Sequence, residues 1–424
     1  MGIVVQKFGG TSVATPQLRE RVVAIVSRTL DEQHQVVLVV SAMGRAGDPY
    51  ATDTLLGLAR QVGAWPSAGC LRELDLLLSC GEVIASSIMA QTLQARGIPA
   101  RALTGGQAGI ITDGTFGNAR IEAVHPDRLL ALLKEGMVPV VAGYQGVTAD
   151  GEITTLGRGG SDTTAAALGV ALQAERVEIY TDVDGMKAAD PRLFPEAPTL
   201  VRVSYREAME MAYLGARVVH PRAVEIAMEG RVPLQIRSTL IDAPGTLVSD
   251  GVQGSPDDLP PPREAPARAD RPVRAIAHVA PRSRVWAVPA RGEFDGEEIH
   301  ELFQAVADAG VSVDMIYVSP DRICFIVDEE LAERVREALS GRTARFEVTG
   351  GFAKVSCVGA GMHGVPGVMA RVTRALAGAG VRIYHTVDSH ANISCLVREE
   401  QLGAAVRALS REFGLEEGGA AALR

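Results

Sequence analysis

Four short runs, IVVQKF (3–8), QVVLVVSA (35–42), VPVVAGYQG (138–146) and VEIYTDVDG (177–185), are largely apolar on consecutive residues rather than on alternate ones. A strand with one wet face alternates. A strand buried on both faces does not, and both faces are buried when a mainly parallel sheet carries helices on each side. Helical stretches over 16–33, 52–64, 71–95, 161–174 and 204–229 supply those helices. Residues 1–247 are therefore expected to form a three-layer α/β domain with a mainly parallel sheet.

The pattern then stops. Residues 249–272 (SDGVQGSPDDLPPPREAPARADRP) are rich in Pro, Asp and Ala and have no apolar period, so 248–272 reads as a linker. The remainder repeats itself with a shift of 70 residues and no gap. AGVSV (309–313) falls on AGVRI (379–383), Ile323 on Ile393, Val327 on Val397, and Ala338-Leu339-Ser340 on Ala408-Leu409-Ser410. Each copy reads strand, helix, strand, strand, helix, the order of a small ferredoxin-like unit. The expected boundaries are 273–342 and 343–424.

Composition excludes several functions. A net charge of −9 with no basic run argues against nucleic-acid binding. Five scattered cysteines without a C-x-x-C pair suit apolar core positions in a reducing cytosol, not a disulfide frame. The start MGIVVQKFGG has no signal-like apolar segment, and runs such as VVLVVSAM fall short of a membrane span, so a cytoplasmic protein with no membrane partner is expected. The eight histidines lack metal-ligand spacing, no Ser–His–Asp or Cys–His arrangement is suggested, and no protein metal ligand is expected.

The chemistry concentrates in glycine loops. TTLGRGGSDTTAAALG (154–169) puts three glycines, Arg158, Ser161, Asp162 and several hydroxyls in front of an Ala-rich helix. A helix start offers unpaired N–H groups and partial positive charge, glycines at 157, 159 and 160 let an anion come close, and Arg158 adds a planar donor fork. KFGGTS (7–12) ends the first strand with Lys7, Gly9 and Gly10, where open α/β sheets bind ligands, yet lacks the Walker spacing. TDVDG (181–185), followed by MKAADPR, offers Asp182, Lys187 and Arg192 to a nucleotide; an Asp-Gly turn is the plainer alternative. In LDLLLSCGE (74–82), Glu82 could accept an ammonium group or be an ordinary surface residue. Ser41 and Thr52 bracket a long polar loop after the second strand. His220, before Pro221, reads as a structural helix start.

These loops, in this order, resemble those of the aspartate kinases of the amino-acid kinase superfamily. The matching pieces are QKFGGTSV, VVSAMG, DLLLSCGE, GYQG, TTLGRGGSDTTAAALG, TDVDG, ADPR and HPRAVEIA. The resemblance implies transfer of the ATP γ-phosphoryl group to the β-carboxylate of L-aspartate, with Mg²⁺ held mostly by phosphate and water. It implies Lys7, Arg158 and Asp162 as catalytic residues, Lys7 bridging the transferring phosphoryl and Asp162 aligning it. Ser41, Thr52, Glu82, Arg158, Gly159, Gly160 and Ser161 would bind aspartate, Arg158 its α-carboxylate and Glu82 its ammonium. Lys7, Gly9, Gly10, Thr181, Asp182, Lys187, Arg192 and Arg217 would bind nucleotide. At Arg217 the chain departs from the family, which commonly carries Lys there.

The 70-residue repeat is similar to the family's tandem ACT regulatory domains, and by that pattern 274–280 is open to assignment to the second unit. SAMGRAGDPYATDTLLGLA further resembles the Gram-positive, diaminopimelate-associated branch. A homo-oligomer, dimer or tetramer, through the ACT domains is implied, with diaminopimelate, lysine or threonine as feedback effector in that order. The second copy keeps a ligand-type loop, GAGMHGVPGVM (359–369), where the first has ARGEFDGEE (290–298), so the second is expected to dominate the effector site and Gly364 to be sensitive to bulk. The other readings are a kinase for glutamate, acetylglutamate or a nucleoside monophosphate, and a non-catalytic amino-acid sensor.

Overall fold

The computed structural model describes residues 2–62, 70–216, 218–250, 273–289, 292–341, 345–359, 362 and 365–416. The expectations for Arg217, Gly364 and the linker beyond Asp250 lie outside the described residues. The chain forms two compact units: Met1–Met186 with Thr199–Ala212 and Arg217–Pro256, and Lys187–Pro198 with Tyr213–Ala216 and Asp257–Arg424.

In the first unit β1 (Ile3–Phe8) leads through the single turn α1 (Gly10–Val13) into α2 (Pro16–Asp31) and β2 (Gln35–Val40). Next come α3 (Thr52–Gln61), α4 (Leu71–Gln94), β3 (Ala100–Leu103), β4 (Ile110–Thr112), β5 (Ile121–Val124) and α5 (Asp127–Lys134). β6 (Val138–Ala142), β7 (Gln145–Val147) and β8 (Ile153–Thr155) precede α6 (Gly160–Ala171) and β9 (Arg176–Thr181). β10 (Arg202–Val203), α7 (Tyr205–Tyr213), α8 (Pro221–Glu229), β11 (Leu234–Ser238) and β12 (Thr246–Val248) complete it.

The main sheet has the order β10-β12-β11-β9-β1-β2-β6-β3, and β4, β5, β7 and β8 form a smaller one. All pairs of the main sheet are parallel except β11 with β12. Val4, Val5 and Phe8 of β1 and Val36 to Val40 of β2 are buried on both faces, as unbroken apolar runs require. β1 lies between β2 and β9. The chain leaves β1 for β2 on one side and returns on the other as β9, so the crevice at their carboxyl ends is a topological switch point.

Two expected elements are broken. The run 138–146 divides into β6 and β7 at Gly143-Tyr144, where Tyr144 takes φ 69° and turns the chain out of the strand. The stretch 204–229 forms α7 and α8. Gly215 stands at φ 102° between them, and His220 is extended because a residue before proline is driven from the helical region. The fourth expected strand is shorter, closing at Thr181.

Contrary to the expectation that every apolar run was too short, α4 has the length and composition of a membrane span, a test that a core helix also passes. Half of that stretch is buried inside the unit, and its inner face carries Asp75 and Glu82. Asp75 is fully buried and accepts from the Gly117 N–H (2.9 Å), the Thr155 N–H (2.8 Å) and the Thr155 hydroxyl (2.7 Å). It thereby ties the helix to β8 and the 117 turn. Burial raises its pKa in spite of these three bonds. Asp75→Ala strands three donors, the two of Thr155 buried, and is expected to cost about 3 kcal/mol of stability, read as a lower urea midpoint at unchanged slope. A midpoint within error of the parent would show the bonds to be dispensable.

In the second unit β13 (Ala275–Val288), α9 (Gly296–Asp308), β14 (Asp314–Ser319), β15 (Arg322–Asp328) and α10 (Ala332–Leu339) come first. β16 (Arg345–Val358), α11 (Val368–Gly378), β17 (His385–Asp388), β18 (Asn392–Arg398) and α12 (Leu402–Glu412) follow. Adding 70 to the bounds of β13 and β15 gives those of β16 and β18. One antiparallel sheet, β14-β15-β13-β16-β18-β17, holds both copies. Its two central strands are 14 residues each and pair with each other along their length, each carrying an outer neighbour on one half only. Residues 275–279 of β13 pair with 354–358 of β16, which in turn pairs with β18. Residues 282–287 pair with β15, and the same half lies against 345–352 of β16. On the helix side Val285, Leu302, Val306, Phe325 and Val335 form a buried cluster.

Candidate active site

Lys7 emerges at the penultimate position of β1, on the opposite side of the pleat from buried Phe8, whose ring stacks on Tyr180 of β9 at 4.7 Å. Its Nζ lies 2.7 Å from Oδ1 of Asp162, in the first turn of α6, with both side chains nearly buried. Asp162 is also held by the His220 N–H, which donates to Oδ2 at 3.3 Å. The Lys7 ammonium is therefore fixed by a carboxylate that is itself fixed.

The glycines beside it are there for closeness. A Cβ on Gly10 would lie 2.9 Å from the Gly44 carbonyl oxygen and nearer still to that of Ala42. A Cβ on Gly9 would lie 3.7 Å from Lys7 Nζ, so side-chain bulk there would crowd the ammonium. Gly159 caps α6 at φ 71°, and a Cβ there would overlap the His220 ring. No side chain caps α6, so its first N–H groups face outward from a helix with Ala165 and Ala166 fully buried behind them. Arg158, exposed at the mouth of this turn, makes no hydrogen bond or ion pair with any described residue.

Glu82 is 2% exposed, and only Oε1 is satisfied, by the Ala42 N–H at 3.0 Å; Oε2 is buried without a partner. Burial pushes its pKa up to about 8 against the lowering effect of the Ala42 bond. An orphaned buried carboxylate oxygen carries a cost that a cationic ligand removes. The same loop carries Ser41, whose N–H donates to the Phe8 carbonyl at 3.1 Å and so aligns the ends of β1 and β2. Thr52 opens α3, which packs against Gly81: a Cβ there would lie 2.9 Å from the Tyr50 carbonyl and 3.4 Å from Leu55. Ser161 supports the other wall, since a Cβ on Gly143 would meet its Oγ at 2.9 Å, and Gly160 packs on Tyr144 and Leu156.

Of the residues expected to hold nucleotide, Thr181 ends β9 and its hydroxyl bonds Asp182 at 3.2 Å. Asp182 is paired with Arg45 at 2.7 Å, an exposed bridge. Lys187 and Arg192 fall in the second unit, where Arg192 forms a bidentate pair with Asp190.

Two supports escaped the sequence reading. Arg222 donates to the Leu156 carbonyl (3.1 Å) and to Asn118 Oδ1 (3.0 Å), stapling the segment before Arg158. Asp75 stands seven residues before Glu82, two turns away on one face of α4. That spacing of two acids on an apolar helix face is the signal that would have found it. His220 caps α8 through Nδ1, which accepts from the Arg222 N–H at 3.3 Å. Burial lowers its pKa and keeps the ring neutral for that role.

Comparison with known proteins identifies the family. Residues 2–238 match the amino acid kinase family, and 355–413 match an ACT domain. Aspartokinase 1 of Bacillus subtilis (strain 168) is 43% identical over 418 residues, 98% of this chain and 100% of the relative. E. coli aspartokinase III in complex with aspartate and ADP (R-state) superposes with TM-score 0.75 at 26% identity, over 97% of this chain and 99% of that one. The same enzyme with lysine and aspartate (T-state) gives 0.76 at 27%, with the same coverage. By full-length identity, domain order and fold, the chain belongs to the aspartokinases of the amino acid kinase family.

Proposed function

We propose that the chain transfers the γ-phosphoryl group of ATP to the β-carboxylate of L-aspartate, giving ADP and 4-phospho-L-aspartate. The observation that carries this reading is the nearly buried Lys7–Asp162 pair beside the Gly9-Gly10 turn at the switch point. The acceptor is already an anion, so no general base is needed, and the obstacle is repulsion between acceptor and phosphates. Lys7 Nζ lowers it by bridging acceptor and γ-phosphate oxygens, and Asp162 holds that ammonium in line. Arg158, forked and without a hydrogen bond or ion pair among the described residues, grips the α-carboxylate. Glu82 Oε2 takes the ammonium, which selects an α-amino acid over an N-acylated one.

Asp182 reaches the nucleotide by giving up its exposed Arg45 bridge, a loss of about 1 kcal/mol or less. Thr181, at the end of β9 beside Asp182, completes the nucleotide contacts that this unit supplies in this reading. Mg²⁺ is carried on phosphate oxygens and water in this reading. When bound, that ion neutralises phosphate charge; the protein's share is Lys7 and the backbone N–H groups.

The catalytic domain then spans 1–247, the linker 248–272 and the ACT units 273–342 and 343–424. The pairing of 275–279 with 354–358, the half of β16 that carries β18, favours placing that segment in the second ACT unit. The effector reading favours the second unit too. Helix α9 is closed by its own carboxylates, Asp295 and Glu298 forming a capping box. Helix α11 starts at Gly367 with no side-chain cap and no acid in its first turn, leaving N–H groups for an amino acid's carboxylate. No Met lies between Met228 and Met315, which favours a homo-oligomer over a separately started regulatory subunit.

A coupled ADP-release assay with aspartate, glutamate and acetylglutamate tests the assignment. Turnover is expected on aspartate alone, with inhibition by diaminopimelate, lysine or threonine in that order of expectation. Turnover on glutamate but not aspartate overturns it.

A further inference from the structure

The first unit contains a cavity of about 430 Å³ that the phosphoryl-transfer site does not use. Its floor is apolar: Met43, Ile84 and Ile88 are only half buried, and the Tyr50 ring stands open at its edge. Ile84 and Ile88 lie two and six residues beyond Glu82, about 200° and 240° round α4 at ~100° per residue, so they turn away from the face that carries Glu82. The cavity therefore sits behind the 42–50 loop.

Its wall holds a cation. Arg19 Nη1 donates to the carbonyls of Val13 (2.9 Å) and Ala14 (3.4 Å) and meets Met43 Sδ at 3.8 Å. That anchors the guanidinium at one corner. Its remaining nitrogens have no hydrogen-bond partner, and it enters no ion pair, among the described residues. Asp48 also lines the cavity, its Oδ2 accepting from the Arg45 N–H at 2.8 Å while Oδ1 has no partner among the described residues.

A concave apolar space of a few hundred Å³ with few convergent polar groups is the form of a small-ligand site. We propose that it binds a small carboxylate with an apolar body, the size of an aromatic or branched-chain amino acid, with the anion on Arg19 and the body against Met43, Ile84 and Ile88. Asp48 stands where an α-ammonium group would be received. The 42–50 loop is one wall of this cavity, and its other contacts belong to the catalytic side. The Gly44 N–H donates to the Gly10 carbonyl at 3.0 Å, and the Ala42 N–H to Glu82 at 3.0 Å. A ligand behind the loop thus restrains the segment that shapes the aspartate site.

The proposal is independent of which amino acid the kinase phosphorylates, because binding is read directly. The full chain, carrying ¹³C-methyl Ile and Met, is titrated with 3-phenylpropionate, L-phenylalanine and 3-phenylpropanol. Saturable shifts of the Ile84, Ile88 and Met43 methyls are expected with both carboxylates, and binding about tenfold weaker or less for the alcohol and for Arg19→Gln. Tighter binding of phenylalanine than of phenylpropionate assigns the ammonium to Asp48; equal binding leaves the anion as the determinant. Ile88→Trp fills the cavity and is expected to abolish the shifts while keeping basal turnover, so the test stands even where Arg19→Gln folds poorly. No saturable shift at these methyls, or shifts that survive Ile88→Trp, overturns the proposal. So do shifts that follow protein rather than probe concentration, which would make the cavity a contact between copies.

Discussion

Lys7→Ala is expected to lower kcat by about 10³-fold or more, the loss seen when one preorganised charge at a developing anion is removed. The KM values for ATP and aspartate should move much less, because the ammonium matters most when acceptor and phosphate oxygens are drawn together. The side chain also partners Asp162, which is nearly buried. Its removal therefore costs stability as well, about 3 kcal/mol when a buried charge loses its partner. Lys7→Ala with Asp162→Asn separates the two effects: melting temperature should recover towards the parent while turnover stays lost. Near-normal kcat in the single variant would remove Lys7 from the chemistry.

Glu82→Gln should act mainly on aspartate. With its pKa pushed up to about 8, the carboxyl is largely protonated at pH 7 in the empty site and must ionise to receive an ammonium group. Hence kcat/KM for aspartate is expected to rise with pH up to about 8 and then level off, and binding to release a proton. In Glu82→Gln this rise should vanish, with the aspartate KM about tenfold to a hundredfold higher and the ATP KM little changed. The stability effect has the opposite sign. A folded pKa above the unfolded value means the native state binds more protons between about 4.5 and 8, so stability falls as pH rises through that window. The parent should lose melting temperature from pH 5 to 8 more steeply than Glu82→Gln. Parallel pH–melting curves and an unchanged aspartate KM would place the ammonium elsewhere.

Much of the site was legible because its signals are local. KFGGTS and GRGGSD each hold a charge, a hydroxyl and glycines within six residues, and a strand end or helix start gives them their place. The less legible parts depend on distant partners. Asp75 looks like a solvated acid until β8 and the 117 turn supply its three donors. The pairing of Asp182 with Arg45 joins residues 137 apart, which no spacing rule reaches. The break between α7 and α8 is local, resting on Gly215 at positive φ and on the residue before Pro221. Apolar content misled over α4, whose buried face is that of a core helix.

The exchanged pairing of β13 and β16 decides how the regulatory half melts. Each copy completes its sheet with a length of strand whose other end belongs to its twin. Neither copy can come apart without exposing an unpaired edge in the other. The duplicated half should therefore unfold in a single transition, not two, and neither copy expressed alone should be a stable protein. For an effector held by only one copy, this shared backbone means that the whole regulatory half registers its arrival.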